Sequence, residues 1–153
     1  MTLRIRETLW SAMAAGVIAV TIAGSASASE NDIKYRQSVM KAVGAHTTAA
    51  AAILKNEVPH KGDLKAHARG LAELARIAGH VFPEGSDFGE TSAKPEIWKK
   101  PAEFKKGLTA FQSQAAAFAT AAEGSDGKAM AGAFGALTKT CKDCHDTFRE
   151  KKR

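Results

Sequence analysis

The residues best placed to do chemistry are Cys141, Cys144 and His145, which stand near the C-terminus as Cys-Lys-Asp-Cys-His. On a helix, positions i, i+3 and i+4 lie on one side, so the two thiols and the imidazole face the same object. Two thiols at this spacing can add to the two vinyl groups on one edge of a porphyrin, and the histidine can reach the iron. The spacing therefore predicts one covalently bound haem c, with His145 as axial ligand of its iron.

Three other interpretations of the motif compete with haem attachment. A Cys-x-x-Cys redox pair needs a thioredoxin-like βαβ context, and the sequence has no convincing strand. A zinc site needs two more ligands, but none of the other histidines has the His-x3–5-His spacing of such sites. A chance match is the third alternative. The directly adjacent histidine and the export signal both favour haem.

The first 28 residues have the composition of a secretory signal peptide. Arg4 and Arg6 supply positive charge, residues 9–24 form an uncharged and mostly apolar run, and Ala-Ser-Ala at 26–28 is a small-residue cleavage site. An uncleaved anchor is the alternative, but the run is shorter than the ~20 apolar residues of a spanning helix. We therefore expect residues 1–28 to be removed and the mature protein to be periplasmic, with no attachment to the membrane.

The mature chain, residues 29–153, has the size of a single domain. The whole sequence of 153 residues carries 22 Lys+Arg against 16 Asp+Glu, a formal charge of +6. Its basic residues are spread along the predicted helices and are not gathered with aromatic residues, so we expect no nucleic-acid binding.

Apolar residues recur every three or four positions along the mature chain, which predicts an all-α fold. Asn31 or Asp32 and Asp63 are suited to cap the first two helices, and Pro101 fits a helix only in its first turn. Short connections favour an up-down-up-down four-helix bundle, with the haem near the C-terminal end of the last helix. The predicted helices span 31–56, 63–82, a stretch starting near Pro95, and 128–151, and the longest break is the loop 83–94.

The start of the first helix is level with the end of the last helix in such a bundle. Arg36 and Met40 share one helix face at i, i+4, and Met40 lies on the apolar stripe at the height of His145. A thioether is a known axial partner for a haem iron whose other ligand is histidine. Met40 is therefore the predicted sixth ligand, and the alternative is that it only fills core space.

The other four histidines are not expected to face the haem. By helical spacing, His46 and His80 lie off the apolar stripe and are predicted to be on the surface. His60 and His67 lie at the opposite end of the predicted bundle.

Three segments carry a family resemblance. They are Lys-Tyr-Arg-Gln at 34–37 with Met40 beyond it, Pro-Glu-Ile-Trp at 95–98, and Cys-Lys-Asp-Cys-His-Asp-x-Phe-Arg at 141–149. With them, the chain resembles the class II cytochromes c, the cytochrome c′ family, over its whole mature length. The C-terminal position of the haem motif is the distinctive part, because class I cytochromes c carry it near the N-terminus.

The resemblance implies a periplasmic protein with haem bonded to Cys141 and Cys144 and with His145 as proximal ligand. It also implies that Arg36 lies near a haem propionate, whereas the alternative for Arg36 is a solvated charge. The resemblance further implies a monomer, or a homodimer formed through the first two helices.

The family divides at the face of the haem opposite His145. Members with a ligating methionine in the first helix are electron carriers with six-coordinate, low-spin iron, whereas cytochromes c′ proper keep the sixth position open and bind NO or CO. We expect the first branch, with Met40 as sixth ligand, and therefore a small one-electron carrier that is not an enzyme. The alternative is a five-coordinate, high-spin cytochrome c′ that binds NO or CO, and a non-haem metal protein is a weaker third.

Basic residues surround the haem motif. Lys139 and Lys142 flank it, and Arg149 and residues 151–153 follow it. Their simplest role is solubility and interaction with the helix C-terminal dipole. They also predict redox partner proteins with acidic surfaces.

Overall fold

The computed structural model describes residues 30–151, so the predicted signal peptide lies outside the described part of the chain. The described residues form four long helices and one short helix: α1 (Glu30–Leu54), α2 (Leu64–Ile77), α3 (Glu96–Lys99), α4 (Pro101–Glu123) and α5 (Gly127–Phe148). The predicted all-α four-helix bundle is confirmed. None of the described helices is long and apolar enough to cross a membrane.

Each long helix packs against the next one along the chain: α1 on α2, α2 on α4 and α4 on α5. Fully buried alanines line these contacts, among them Ala50, Ala68, Ala75 and Ala115, and their small side chains let the helices approach closely. By contrast, α1 and α5 make few contacts with each other. The gap between α1 and α5 is the space in which the site described below is formed.

Helix α2 begins where its periodicity predicts but is shorter at its C-terminal end. Asp63 occupies the predicted N-cap position of α2 and also ends a 3₁₀ turn (Lys61–Asp63). The predicted role of its side chain is wrong, because that side chain makes no capping hydrogen bond. At the other end α2 stops at Ile77 and passes into a second 3₁₀ turn (Ala78–His80), so Phe82 lies beyond the helix. Helix α1 begins at Glu30, so neither residue 31 nor residue 32 is its cap.

The single helix predicted after Pro95 is in fact two helices. Lys100, with φ −125° and ψ 58°, separates α3 from α4, and Pro101 is the first residue of α4. Proline has no N–H and disfavours helical backbone in the residue before it, so the helix must stop and restart at this point. The break separates α3 from the long helix that follows it.

Helix α5 has a side-chain cap at its start and a backbone partner at its end. The carboxylate of Asp126 accepts hydrogen bonds from the amides of Lys128 (2.8 Å) and Ala129 (3.1 Å). The helix ends at Phe148, not at 151, because the chain beyond it turns extended and pairs with the loop before α3. The amide of Glu150 donates to the carbonyl oxygen of Ser92 at 2.8 Å.

Candidate functional site

The three residues of the motif lie within the last two turns of α5. Cys141 and Cys144 are half-buried and neither is in a disulfide. Burial raises the pKa of both thiols. Reactive Cys-x-x-Cys redox pairs have a lowered thiol pKa instead, so the electrostatic surroundings argue against the redox interpretation.

His145 follows directly and lies at the rim of the same region, next to Arg149. Burial, and then the cationic Arg149, lower the pKa of His145, and Asp146 opposes them more weakly. The imidazole is therefore neutral at neutral pH, which leaves a nitrogen lone pair for a metal. The described residues contain no group of three or more His, Cys, Asp or Glu side chains that could hold a metal ion, which argues against the zinc interpretation.

A cavity of about 720 Å³ opens between α1 and α5, and both cysteines and His145 line it. Three aromatic rings form its end: the Phe82 and Phe104 centroids lie 4.9 Å apart, and those of Phe104 and Phe148 lie 5.3 Å apart, both edge to face. We call these three rings the aromatic wall. The opposite side of the cavity is the face of α1 that carries Arg36, Met40, Val43, Gly44 and Thr47.

The lining of this cavity fits a haem. Apart from the titratable His145, the charged residues that line it are Arg36, Lys41 and Arg149, all of them cationic, and no Asp or Glu lines it. A haem is a flat apolar ring with two carboxylate groups, so it matches a cavity that has cationic residues along it and two thiols and an imidazole on one wall. Gly44 and Gly107 also line the cavity, and a Cβ on either of them would meet no atom within 4 Å. The cavity is therefore open where a flat group would lie.

Arg36 is only 3% exposed, so it is not the solvated charge of the alternative interpretation. Its guanidinium donates to the hydroxyl of Ser86, to the carbonyl oxygen of Ser86 at 2.7 Å and to the Thr91 hydroxyl at 3.0 Å. It also lies over the rings of Phe82 and Trp98, 5.2 and 5.8 Å from their centroids. Sequence reasoning missed these partners, because both hydroxyls stand in a loop with no periodicity.

No carboxylate among the described residues forms an ion pair with Arg36. An arginine stays charged in proteins, and a buried charge is costly unless it is paired. A carboxylate brought by a bound group would supply the missing partner. The contact between Arg36 and a haem propionate stays a prediction, and the environment of Arg36 supports it.

The loop between α2 and α3 is tied down on two sides. On the α1 side, Gln37 donates to the carbonyl oxygen of Glu90 at 2.5 Å. On the α5 side, the amide of Lys94 donates to the carbonyl oxygen of Phe148 at 3.0 Å. The loop thus connects the start of α1 to the end of α5, and five of its residues, Ala78, Phe82 and 91–93, line the cavity.

Met40 lies where the register argument placed it. It is half-buried, it lines the same cavity as Cys141, Cys144 and His145, and it packs against the main hydrophobic core. Its position in the fold is confirmed, but this contact with the core is compatible with packing alone.

The comparisons with known proteins decide the family. The sequence profile of a family described as Cytochrome C′ matches residues 31–149. The chain belongs to the cytochrome c′ family. Members of this family carry one covalently bound haem c with its iron, so the cofactor predicted from the motif is confirmed.

Among the relatives is the cytochrome c′ of Pararhodospirillum photometricum, 38% identical over 77% of this chain and 95% of its own length. Among solved structures, cytochrome c prime from Shewanella frigidimarina is 35% identical with a TM-score of 0.76, over 79% of this chain and 95% of that one. A nitric oxide complex of a variant of cytochrome c prime from Alcaligenes xylosoxidans is 33% identical with a TM-score of 0.74, over 80% and 96%.

The expectation of a low-spin electron carrier with Met40 as sixth ligand is wrong. Most of the relatives are named cytochrome c′, and solved structures of the Alcaligenes xylosoxidans protein hold nitric oxide or carbon monoxide, which agrees with the alternative of an open sixth position. The physical reason is that a methionine on the apolar face of a helix packs into a core as readily as it approaches an iron. Met40 follows Arg36 by four residues whether its side chain packs into the core or ligates the iron, so the motif could not distinguish packing from ligation.

Proposed function

We propose that this chain is a periplasmic cytochrome c′ whose iron keeps an open sixth position and binds nitric oxide or carbon monoxide. The observation that carries the proposal is the cavity, with the covalent and axial ligands on the α5 wall and with Met40, Val43 and Gly44 of α1 across from them. The family supports it, as does the nitric oxide complex of the related Alcaligenes protein.

Haem supplies an iron that binds diatomic ligands and changes between the ferric and ferrous states. The chain's own residues hold and shield that group. Cys141 and Cys144 would anchor the ring to α5, His145 would hold the iron from that side, and Arg36 would neutralise a propionate. The aromatic wall excludes water from the end of the cavity between α4 and α5.

The α1 wall determines what can approach the open position. Met40 and Val43 present apolar atoms to the cavity. The hydroxyl of Thr47 donates to the carbonyl oxygen of Val43 at 2.8 Å, and that of Thr48 donates to Gly44 at 3.0 Å, so both protons are already engaged within α1. At this part of the wall a ligand therefore meets apolar atoms and hydroxyl groups whose protons are engaged, which suits a small neutral diatomic molecule.

An optical spectrum of the purified holoprotein tests the proposal. We expect a high-spin ferric spectrum at neutral pH and a ferrous form that binds CO and NO without first losing an internal ligand. Kinetics of CO binding that are independent of ligand concentration would indicate a protein ligand leaving the iron. A low-spin ferric spectrum would contradict the open sixth position.

We further propose that the protein performs no catalytic turnover and receives electrons from redox proteins with acidic surfaces. The exposed cationic residues Lys41 and Arg149 along the cavity support such partners. Export is supported by the signal-like composition of residues 1–28. N-terminal sequencing of the protein from the periplasmic fraction should give a sequence that begins at Ser29.

The oligomeric state needs its own measurement. Sedimentation velocity of the holoprotein would distinguish the predicted monomer from the predicted homodimer.

A further inference from the structure

His46 on α1 and His67 on α2 form a pair that does not line the haem cavity. Their Nδ1 atoms lie 3.1 Å apart, and their ring centroids lie 5.2 Å apart with 68° between the ring planes. Sequence reasoning separated these residues, because it placed one on the surface and the other at the far end of the bundle. The structure brings them together across the contact between α1 and α2, and both are half-buried.

Gly70 makes room for this pair. A Cβ at residue 70 would lie 2.7 Å from Cε1 and 2.9 Å from Nδ1 of His46, which is closer than such atoms approach. Glycine inside a helix is destabilising relative to alanine, so α2 is weakened at the point where the imidazole of His46 rests against it. The missing side chain is what lets this ring reach His67.

The nearest basic residues along α2 are turned away from the pair. Lys65 and Arg69 lie two positions before and after His67, and both form ion pairs with Glu123 on α4, at 3.8 and 2.7 Å. Both side chains are therefore held on the α4 side of α2, where the single carboxylate of Glu123 offsets part of their charge, whereas the imidazoles meet on the α1 side. A cation could approach the two nitrogens without facing these charges directly.

We propose that His46 and His67 bind one divalent transition-metal ion through their Nδ1 atoms, with water completing the coordination, and that Cu²⁺ binds most tightly. With metal–nitrogen bonds of about 2.05 Å, nitrogens 3.1 Å apart subtend about 98° at the ion. This angle is near the right angle between neighbouring ligands of tetragonal Cu²⁺, and Cu²⁺ also heads the affinity order of the divalent ions.

Without metal, one ring donates its Nδ1 proton to the Nδ1 lone pair of the other. Both rings must carry their proton on Nε2 when the ion is bound, so the two metal bonds replace that single hydrogen bond and no proton is released. The ion then links α1 to α2. Because only the folded chain holds the two nitrogens together, the ion stabilises the folded state and raises Tm.

Calorimetric titration of the ferric holoprotein with CuCl₂ tests the site. We expect one Cu²⁺ per chain, lost in His46→Ala and in His67→Ala but retained in His60→Ala and His80→Ala, which remove exposed histidines elsewhere. Gly70→Ala keeps both imidazoles and should also lose the site. Its matched control is Gly132→Ala on α5, where a Cβ would meet nothing within 4 Å.

Electron paramagnetic resonance of the Cu²⁺-loaded, unsubstituted protein gives a second readout that does not depend on whether a variant folds. We expect the spectrum to show hyperfine coupling to two imidazole nitrogens. In a separate thermal-unfolding measurement, Cu²⁺ should raise the Tm of the unsubstituted protein but not that of Gly70→Ala. Absence of stoichiometric binding, binding that persists in His46→Ala, or coupling to a single nitrogen would each overturn the proposal.

Discussion

The guanidinium of Arg36 donates to both the hydroxyl and the carbonyl oxygen of Ser86, which stands 50 residues later in the chain. Arg36 lies in α1 and Ser86 in the loop after α2, so these bonds hold the loop against the first helix at the edge of the haem cavity. Ser86 is fully buried and its hydroxyl also donates to the carbonyl oxygen of Pro83 at 2.8 Å. The pair therefore forms one buried polar connection between two distant segments.

Replacing Ser86 by alanine tests that connection. A hydrogen bond to a charged group contributes about 1.5–3 kcal/mol, so Ser86→Ala should lower the free energy of unfolding of the holoprotein by roughly that amount. Urea unfolding followed by circular dichroism measures it. The control is Ser38→Ala, whose exposed hydroxyl bonds only to the local carbonyl of Lys34 and should change stability by less than about 0.5 kcal/mol. Equal effects of the two variants would contradict the role of Ser86.

Covalent attachment of the haem depends on the two thiols of α5. Cys141→Ala or Cys144→Ala should leave at most one thioether bond, and the double variant should leave none. Denaturing electrophoresis followed by a haem stain measures covalency, because only covalently held haem survives denaturation. Stain retained by the double variant would refute the attachment. His145→Ala is the matched variant, since it removes the axial ligand and spares both thiols.

Met40 is predicted to act as packing on the α1 wall. Met40→Ala should lower the free energy of unfolding by about 2 kcal/mol or more, through the cavity it leaves, while the ferric spectrum stays high-spin. Faster CO binding is expected as well, because the shorter side chain clears the approach to the iron. Stopped-flow mixing with CO and chemical unfolding provide the two measurements. A change of spin state in this variant would count against a packing role.

The exposed Lys41 and Arg149 along the cavity predict salt-dependent association with an acidic redox partner. Screening at ~0.15 M ionic strength weakens charge interactions beyond about 8 Å, so the bimolecular rate of electron transfer should fall as salt rises. Stopped-flow mixing with a negatively charged donor measures it. Lys41→Gln should flatten this dependence, whereas Lys61→Gln, an exposed lysine outside the cavity lining, should leave it unchanged. A rate independent of salt would remove the proposed steering.

The raised pKa of both thiols predicts how the stability of the chain without haem depends on pH. Burial favours the neutral thiols of Cys141 and Cys144 in the folded state. Their contribution is therefore fully present below the unfolded thiol pKa of about 8.5 and is lost as pH rises through the higher folded values. Chemical unfolding at several values between about pH 7.5 and 9.5 should show this decline. The double variant Cys141→Ala, Cys144→Ala should lack it.

The sequence alone determined the parts of this protein that depend on local chemistry and on helical periodicity. The spacing of Cys141, Cys144 and His145 was sufficient to predict the cofactor, because three side chains on one helix face have a fixed mutual geometry. Apolar periodicity predicted the bundle, and short connections predicted its register, so Met40 was correctly placed at the height of His145. In each case the relevant distances follow from residues close together along one helix or from helices joined in antiparallel order.

Only the tertiary structure decided which distant side chains meet. The partners of Arg36 lie in a loop without periodicity, and the pairing of His46 with His67 depends on how closely α1 and α2 approach and on the missing side chain of Gly70. Position alone could not assign a role to Met40, because packing and ligation need the same placement. Periodicity specifies the face on which a side chain lies, whereas the contact it makes depends on another segment that folds against that face.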